Sequence, residues 1–303
     1  MKVLIVGFGS IGQRHAAVLN ELGCDVAIVS RRPIDFPQRY DAIKTAVDEF
    51  LPDYTVIASS TNEHRHDINI LSDAGFTGML LIEKPLYDHG SEQISDTFSC
   101  AKVGFNLRFH PALQYFREAL RGLKIYTVTA YVGSYLPGWR PGTNYSHGYS
   151  AHKSRGGGVL RDLSHELDAL IWMFGDWQRI TAIGGHFSNL EIDSDDVFSV
   201  LFDTKFVPGI SLNMNYLDTL TRREITALTD HGTVHVDLVA GTVRTTQEQK
   251  TFPVERDDTY RAQHLAMLNN DHSYLCDASE GLKVMRMIDA IEEASLKEIW
   301  VRT

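Results

Sequence analysis

The sequence has only three cysteines among its 303 residues, Cys24, Cys100 and Cys276, widely spaced and with no Cys-x-x-Cys pair. A zinc ribbon and a dithiol redox motif are thereby excluded, and a reducing, cytoplasmic compartment is expected. No run of about twenty apolar residues occurs, which excludes a membrane-spanning helix. The apolar stretch Val3 to Val6 is too short for a signal segment and reads as a strand. Positive charge is also in short supply. Lys and Arg number 29 against 39 Asp and Glu, a net charge of −10, and such a field repels phosphate. Neither nucleic acid nor a membrane is an expected partner. Internal repeats and low-complexity tracts are absent too. What remains is ordinary globular composition, 43% hydrophobic, 22% charged and 10% aromatic. Its length lies at the upper edge of what one core serves, so two domains are expected.

Short β-branched runs alternate with helical patterns over the first hundred residues. Strands are read at Val3 to Val6, Val26 to Val29, Tyr54 to Ser59, Met79 to Ile82 and Lys102 to Phe105, and helices near Gly12 to Leu22 and His64 to Ala74, the latter closed by Gly75. That order predicts an α/β, doubly wound parallel sheet over residues 1–107. Beyond Arg121 the strand-like runs follow one another with a single helix inserted. A second α/β domain over 108–303 is expected, with a large, mostly antiparallel open sheet. Helical patterns at Tyr260 to Leu275 and Ser279 to Ile299 close the chain and must cover one of the two cores. One face of the second sheet has no helix assigned to it. An exposed apolar face there predicts association into a homodimer or homotetramer.

Gly7-Phe8-Gly9-Ser10-Ile11-Gly12 follows the first strand directly and opens the first helix. In that context the glycines allow a tight turn, close approach of a pyrophosphate, and close helix–strand packing, with the phosphates facing the helix N-terminus. The second strand ends in Ser30-Arg31-Arg32-Pro33, where an NAD-specific site usually carries an acid. No carboxylate stands before Asp35. Ser30 with two guanidiniums suits a 2′-phosphate, so NADP is the expected cofactor and NAD the alternative.

Lys84, in Glu83-Lys84-Pro85, sits at the carboxyl end of a parallel strand, the edge where such sheets bind ligands. An ammonium there can polarise a carbonyl, stabilise an alkoxide or shuttle a proton. After Gly156-Gly157-Gly158, a helix is read with the apolar stripe Leu160, Leu163, Leu167, Leu170, Ile171 and Phe174. Asp162 and His165 lie off that stripe as surface neighbours, and a carboxylate beside an imidazole can fix its tautomer. Between the two lies a segment with no Asp or Glu from Ala119 to Arg161. Within it, 134–155 reads as a long structureless loop holding Trp139, Tyr145 and Tyr149, which can stack on a sugar, and Arg140, Lys153 and Arg155, which suit an anionic group. His147 and His152 have no Cys or carboxylate at ligand spacing, so no metal is expected.

The glycine fingerprint, Thr61-Asn62-Glu63-His64, Glu83-Lys84-Pro85, Gly104-Phe105-Asn106-Leu107-Arg108-Phe109-His110-Pro111 and the helix from Gly156 to Asp168 together resemble, in that order, the Gfo/Idh/MocA oxidoreductase family. The resemblance implies an N-terminal Rossmann domain, a C-terminal open-sheet domain and NAD(P)-dependent oxidoreduction of sugars. Its catalytic lysine falls on Lys84 and its helix pair on Asp162 and His165. Cofactor contacts are implied at Ser60, Thr61, Asn62, His64, Glu83 and Lys84, and substrate contacts at Lys84, Arg108, Asp162 and His165. Family members commonly separate the helix pair by four residues; here the separation is three. Three readings stand at this point. The first is an NADP-dependent oxidoreductase of a sugar, nucleotide-linked or acidic and of the kind used in surface glycans. The others are a redox-neutral hydrolase or epimerase that uses bound nicotinamide, and a non-catalytic NADP(H)-binding regulator.

Overall fold

The structure is a computed structural model and describes residues 1–90 and 92–303. In chain order the strands and helices are β1 (Lys2–Val6), α1 (Ser10–Glu21), β2 (Asp25–Val29), β3 (Arg39–Tyr40), α2 (Ile43–Phe50), β4 (Tyr54–Ile57), α3 (His64–Asp73), β5 (Met79–Ile82), β6 (Cys100–Val103) and α4 (Pro111–Ala119). There follow β7 (Ile125–Gly133), α5 (Val159–Asp162), α6 (His165–Phe174), β8 (Trp177–Gly185), β9 (Val197–Thr204), β10 (Ile210–Asn215), β11 (Arg222–Thr229), β12 (Gly232–Asp237), β13 (Thr242–Arg244) and β14 (Gln249–Thr251). The chain closes with α7 (Asp258–Leu268), β15 (Cys276–Asp277), α8 (Ala278–Lys297) and β16 (Val301–Arg302). Two compact units result, one of residues 1–109 and 255–282, the other of 110–254 and 283–303. Among the described residues no helix is long and apolar enough to cross a membrane.

The first unit is a seven-stranded sheet in the order β15-β6-β5-β4-β1-β2-β3, parallel except for β15. Its central strands read as near-continuous apolar runs because helices cover both faces: Val3, Leu4 and Ile5 of β1 are wholly buried. The chain runs from β1 outward through β2 and β3, then returns to β4 on the other side of β1. The carboxyl ends of β1 and β4 therefore form the switch point of the sheet. Ala16 and Leu19 of α1 share one core with Ala266 and Met267 of α7, so the returning helix lies beside α1.

The second unit carries a nine-stranded sheet, β14-β13-β12-β11-β7-β10-β9-β8-β16. It is antiparallel except where β10 runs parallel to β7. Its strands alternate, Phe198, Val200 and Phe202 inward against Ser199 and Leu201 outward. In register, the outward row reads Thr181, Leu201, Ser211, Thr129, Thr226 and His235. The expectation of an apolar open face is thus corrected: hydroxyls dominate it, with Ile183, Leu201 and Leu228 as exposed apolar residues.

Three further differences from the sequence reading concern helices. The helix through 160–174 is broken between α5 and α6, since Leu163 leaves helical geometry at φ −100°, ψ 23°. The break falls where successive charged groups are drawn to different partners, Arg161 to Glu292, Asp162 to Tyr216 and Glu166 to Arg223. The helix expected to reach Leu275 stops at Leu268, because the following residues turn to place β15 beside β6. The segment 134–155 is not structureless: four 3₁₀ turns occupy Leu136–Gly138, Tyr145–His147, Tyr149–Ala151 and Lys153–Arg155. Its hydrogen-bonding hydroxyls and aromatics supply the local contacts that fix those turns.

Candidate active site

In the first unit the glycine turn is the best-defined feature. Gly7 has φ +93°, and a Cβ there would lie 2.6 Å from the Ser59 nitrogen at the end of β4. Gly12 is equally confined, its Cβ position 2.1 Å from the Gly7 carbonyl oxygen, whereas nothing lies within 4 Å of the corresponding position on Gly9. The first and third glycines are needed for packing and the second faces open space. This is the cradle a pyrophosphate requires. Gly9 caps α1 without any side-chain hydrogen bond, leaving the first-turn N–H groups to a ligand. Phe8 packs edge-on against Phe36, and Ser10 is exposed at the helix start. The residues present fit a dinucleotide.

At the end of β2, Ser30 is buried and its hydroxyl accepts the Arg32 N–H at 3.2 Å. The Arg32 guanidinium folds back to donate to the Phe8 carbonyl at 3.2 Å, which keeps a cation on the glycine turn. Arg31 extends into solvent, 3.7 Å from Glu63. After β4, Ser60 and Asn62 are exposed and Thr61 is buried. His64 turns inward, its ring nitrogens 3.2 Å from the Leu86 carbonyl and 3.3 Å from that of Ser59, and burial lowers its pKa. It ties the β4 turn to the segment after Pro85. Glu83 is buried, Lys84 is half-buried directly behind it, and the Lys84–Pro85 peptide is cis. Arg108 is 2% exposed, with its guanidinium 3.0 Å from Glu280, so this cation serves the interior of the unit.

In the second unit Asp162 ends α5 and His165 begins α6, so the two stand on separate helices. The buried Asp162 carboxylate accepts the Tyr216 hydroxyl at 2.6 Å and also bonds Tyr149. Burial first, and the adjacent Asp162 second, push both phenols well above their ordinary pKa, so both donate. Asp162 thereby fastens the 134–155 segment to β10's end. Trp139 stacks edge-on over Tyr216 at 5.2 Å and donates its indole N–H to Ser134. Tyr145 accepts the Glu191 N–H at 3.1 Å, and the Arg140 guanidinium lies 5.8 Å over the Tyr149 ring. Arg140, Lys153 and Arg155 are exposed. His165 is half-buried in the first turn of α6.

Sequence reasoning passed over Tyr216, His15 and His264. Only His15 had a local signal: with Gly12, Ala16 and Leu19 it falls on the buried stripe of α1, a polar residue at an apolar position.

A parallel sheet with a glycine turn at its switch point makes the first unit a Rossmann-type fold, and the second unit is built on a large mixed sheet. Residues 113–235 match the GFO/IDH/MocA C-terminal domain, and residues 1–80 match the D-isomer specific 2-hydroxyacid dehydrogenase NAD binding domain. The matched stretch of the second unit is thus similar to the C-terminal domain of the Gfo/Idh/MocA family. Among solved structures it is similar to the WlbA dehydrogenase from Bordetella pertussis in complex with NADH and UDP-GlcNAcA, at 18% identity and a TM-score of 0.83 over 100% of this chain and 97% of that one. It is also similar to scyllo-inositol dehydrogenase from Lactobacillus casei with NAD(H) and scyllo-inositol, at 19% identity and 0.79 over 100% and 98%. A probable dehydrogenase from Thermotoga maritima gives 18% identity and 0.80 over 100% and 98%. No curated protein matches the sequence.

Proposed function

We propose that the protein is a cytoplasmic NAD(P)-dependent oxidoreductase acting on a carbon-bound hydroxyl, or the matching carbonyl, of a sugar or nucleotide sugar. The glycine cradle at the switch point carries this reading, because its one open position faces where a pyrophosphate must come. A bound nicotinamide supplies the two-electron redox chemistry. The chain's own residues supply the rest. Lys84 stabilises charge on the reacting oxygen, His165 exchanges the hydroxyl proton, and Asp162 holds the α5 end and the 134–155 segment in place through its two tyrosines. Trp139, Tyr145 and Tyr149 shape the sugar side, while Arg140, Lys153 and Arg155 are free to meet an anionic group such as a diphosphate or uronate.

NADP is the preferred cofactor in this reading, supported by Arg32 on the glycine turn, Arg31 in solvent and the absence of a carboxylate before Asp35. Two of the similar structures named above, those of WlbA and scyllo-inositol dehydrogenase, are described with NADH or NAD(H), which makes cofactor choice a direct test. In this reading subunits associate as a homodimer or homotetramer through the outward face of the nine-stranded sheet, by its hydroxyl rows with Ile183, Leu201 and Leu228 rather than by a continuous apolar patch. A monomer in light scattering at micromolar concentration refutes that part.

The deciding experiment is a screen of scyllo-inositol, levoglucosan and UDP-GlcNAcA with NADP and with NAD, followed at the reduced-nicotinamide absorbance. Turnover of one class with a preference for NADP is expected. Binding of cofactor with sugar conversion but no absorbance change would replace this reading with the redox-neutral one.

A further inference from the structure

Four buried side chains from four segments of the first unit join end to end. The Tyr54 hydroxyl of β4 lies 3.0 Å from His264 Nδ1 of α7. His264 Nε2 lies 2.8 Å from His15 Nδ1 of α1, and His15 Nε2 lies 3.0 Å from Glu83 Oε1. The other oxygen of Glu83 accepts the Lys84 backbone N–H at 3.3 Å. Tyr54, His15 and His264 are wholly buried and Glu83 nearly so. Gly104 leaves room for the carboxylate: a Cβ on it would lie 2.8 Å from Glu83 Oε1.

Proton counting gives this chain a direction. A carboxylate only accepts, so His15 Nε2 carries hydrogen; in a neutral ring Nδ1 is then the acceptor, and His264 Nε2 must donate to it. The remaining nitrogen of His264 accepts, and Tyr54 donates. Burial holds His264 well below the usual imidazole pKa, which keeps that ring neutral. Burial also holds the Tyr54 phenol protonated. The chain runs from Tyr54 through His264 and His15 to Glu83, each group fixing the next, and ends one residue before the lysine.

We propose that Tyr54, His264 and His15 are positioning residues for Lys84, acting through Glu83 to fix the peptide from which the lysine side chain leaves the sheet. The proposal rests on the reading of Lys84 as the group that meets the substrate. It adds a part for α7, which returns from the far end of the sequence to supply the middle of the chain.

The test uses the full-length protein, selectively nitrogen-labelled at histidine or at lysine, near neutral pH. His15→Gln and His264→Gln assign the ring signals. Both rings are expected in the Nε2–H tautomer; an Nδ1–H tautomer at either, or an imidazolium at His15, overturns the chain. The Lys84 amide signal is expected to move in His264→Phe, to move less in Tyr54→Phe, which removes one hydroxyl and preserves core shape, and to return toward its native position in His264→Gln, whose amide still donates to His15. An unmoved Lys84 amide in both Phe variants overturns the link to the lysine. On whichever screened sugar turns over, His264→Phe should lower kcat about ten- to a hundredfold with the cofactor KM unchanged. Added to Lys84→Ala, it should cost nothing more; additive losses overturn positioning. Full turnover by Lys84→Ala alone overturns the proposal through the reading it rests on, and is recognised because the histidine tautomers remain as stated.

Discussion

The two units organise their functional groups in different ways. In the first, the backbone does most of the work: a positive φ at Gly7, a close approach at Gly12 and an uncapped helix start at Gly9 define the cradle before any side chain is counted. In the second, side chains do it, with Asp162 held by Tyr149 and Tyr216 and Glu166 paired with Arg223. A backbone cradle depends on residues adjacent in sequence, so it leaves a motif. A side-chain network joins residues far apart, so it leaves none.

The largest test of this contrast is catalytic. Lys84→Ala and His165→Ala should each lower kcat by roughly 10²–10⁴, the scale of a positioned acid, base or charge stabiliser, with dinucleotide affinity nearly intact. Steady-state kinetics with a parallel fluorescence titration of the cofactor checks both halves. Normal turnover in both variants would remove the family's catalytic residues from this chain and leave only its cradle.

What could be read from the sequence follows the same division. Gly7 to Gly12, Lys84 behind a fully apolar strand and the alternating strands of the second sheet stand where expected, because each depends on local pattern. The break after Asp162 escaped because the stripe from Leu160 to Phe174 is periodic across it; only the distant partners Glu292, Tyr216 and Arg223 show that the charged residues are pulled apart. Arg108 read as a substrate contact because Glu280, its partner, lies 172 residues away. Helix α2 did have a signal, Ile43, Ala46, Val47 and Phe50 at helical spacing, in a segment of only eight residues.

Cofactor choice sharpens the first unit's side of the comparison. Arg31→Asp should weaken NADP by about 1.5–3 kcal/mol and NAD far less, since a charge-assisted contact is lost and a repulsive one gained. Paired titrations of the two dinucleotides measure this, and equal affinity in the unmutated protein would end the preference. The corresponding change in the second unit is Tyr216→Phe. It leaves the buried Asp162 carboxylate with one donor fewer and should cost about 1–2 kcal/mol in chemical denaturation. Asp162→Asn should lower kcat less than His165→Ala does, because its role is to hold rather than to transfer. An Asp162→Asn loss as large as that of His165→Ala would make the carboxylate a direct participant.

The smallest expected effect is on stability against pH, and it draws on both units. Burial lowers the pKa of His64 and of His110, and that of His264 further. A histidine whose folded value is depressed contributes stability that is present above its unfolded value, near 6.5, and lost as pH falls through the folded one. Asp67 and Asp195, raised chiefly by burial, act with the opposite sign and work against the histidines. The melting temperature should therefore fall as pH drops from about 7.5 to about 5.5. Two of the three histidines, His64 and His264, belong to the first unit, so most of the slope should come from there. His264→Gln removes the most depressed of the three and should flatten the slope, whereas Tyr216→Phe should shift the whole curve and leave its slope alone. A melting temperature that stays level or rises on acidification would mean that these rings are not held neutral, and the direction assigned to the chain ending at Glu83 would fail with them.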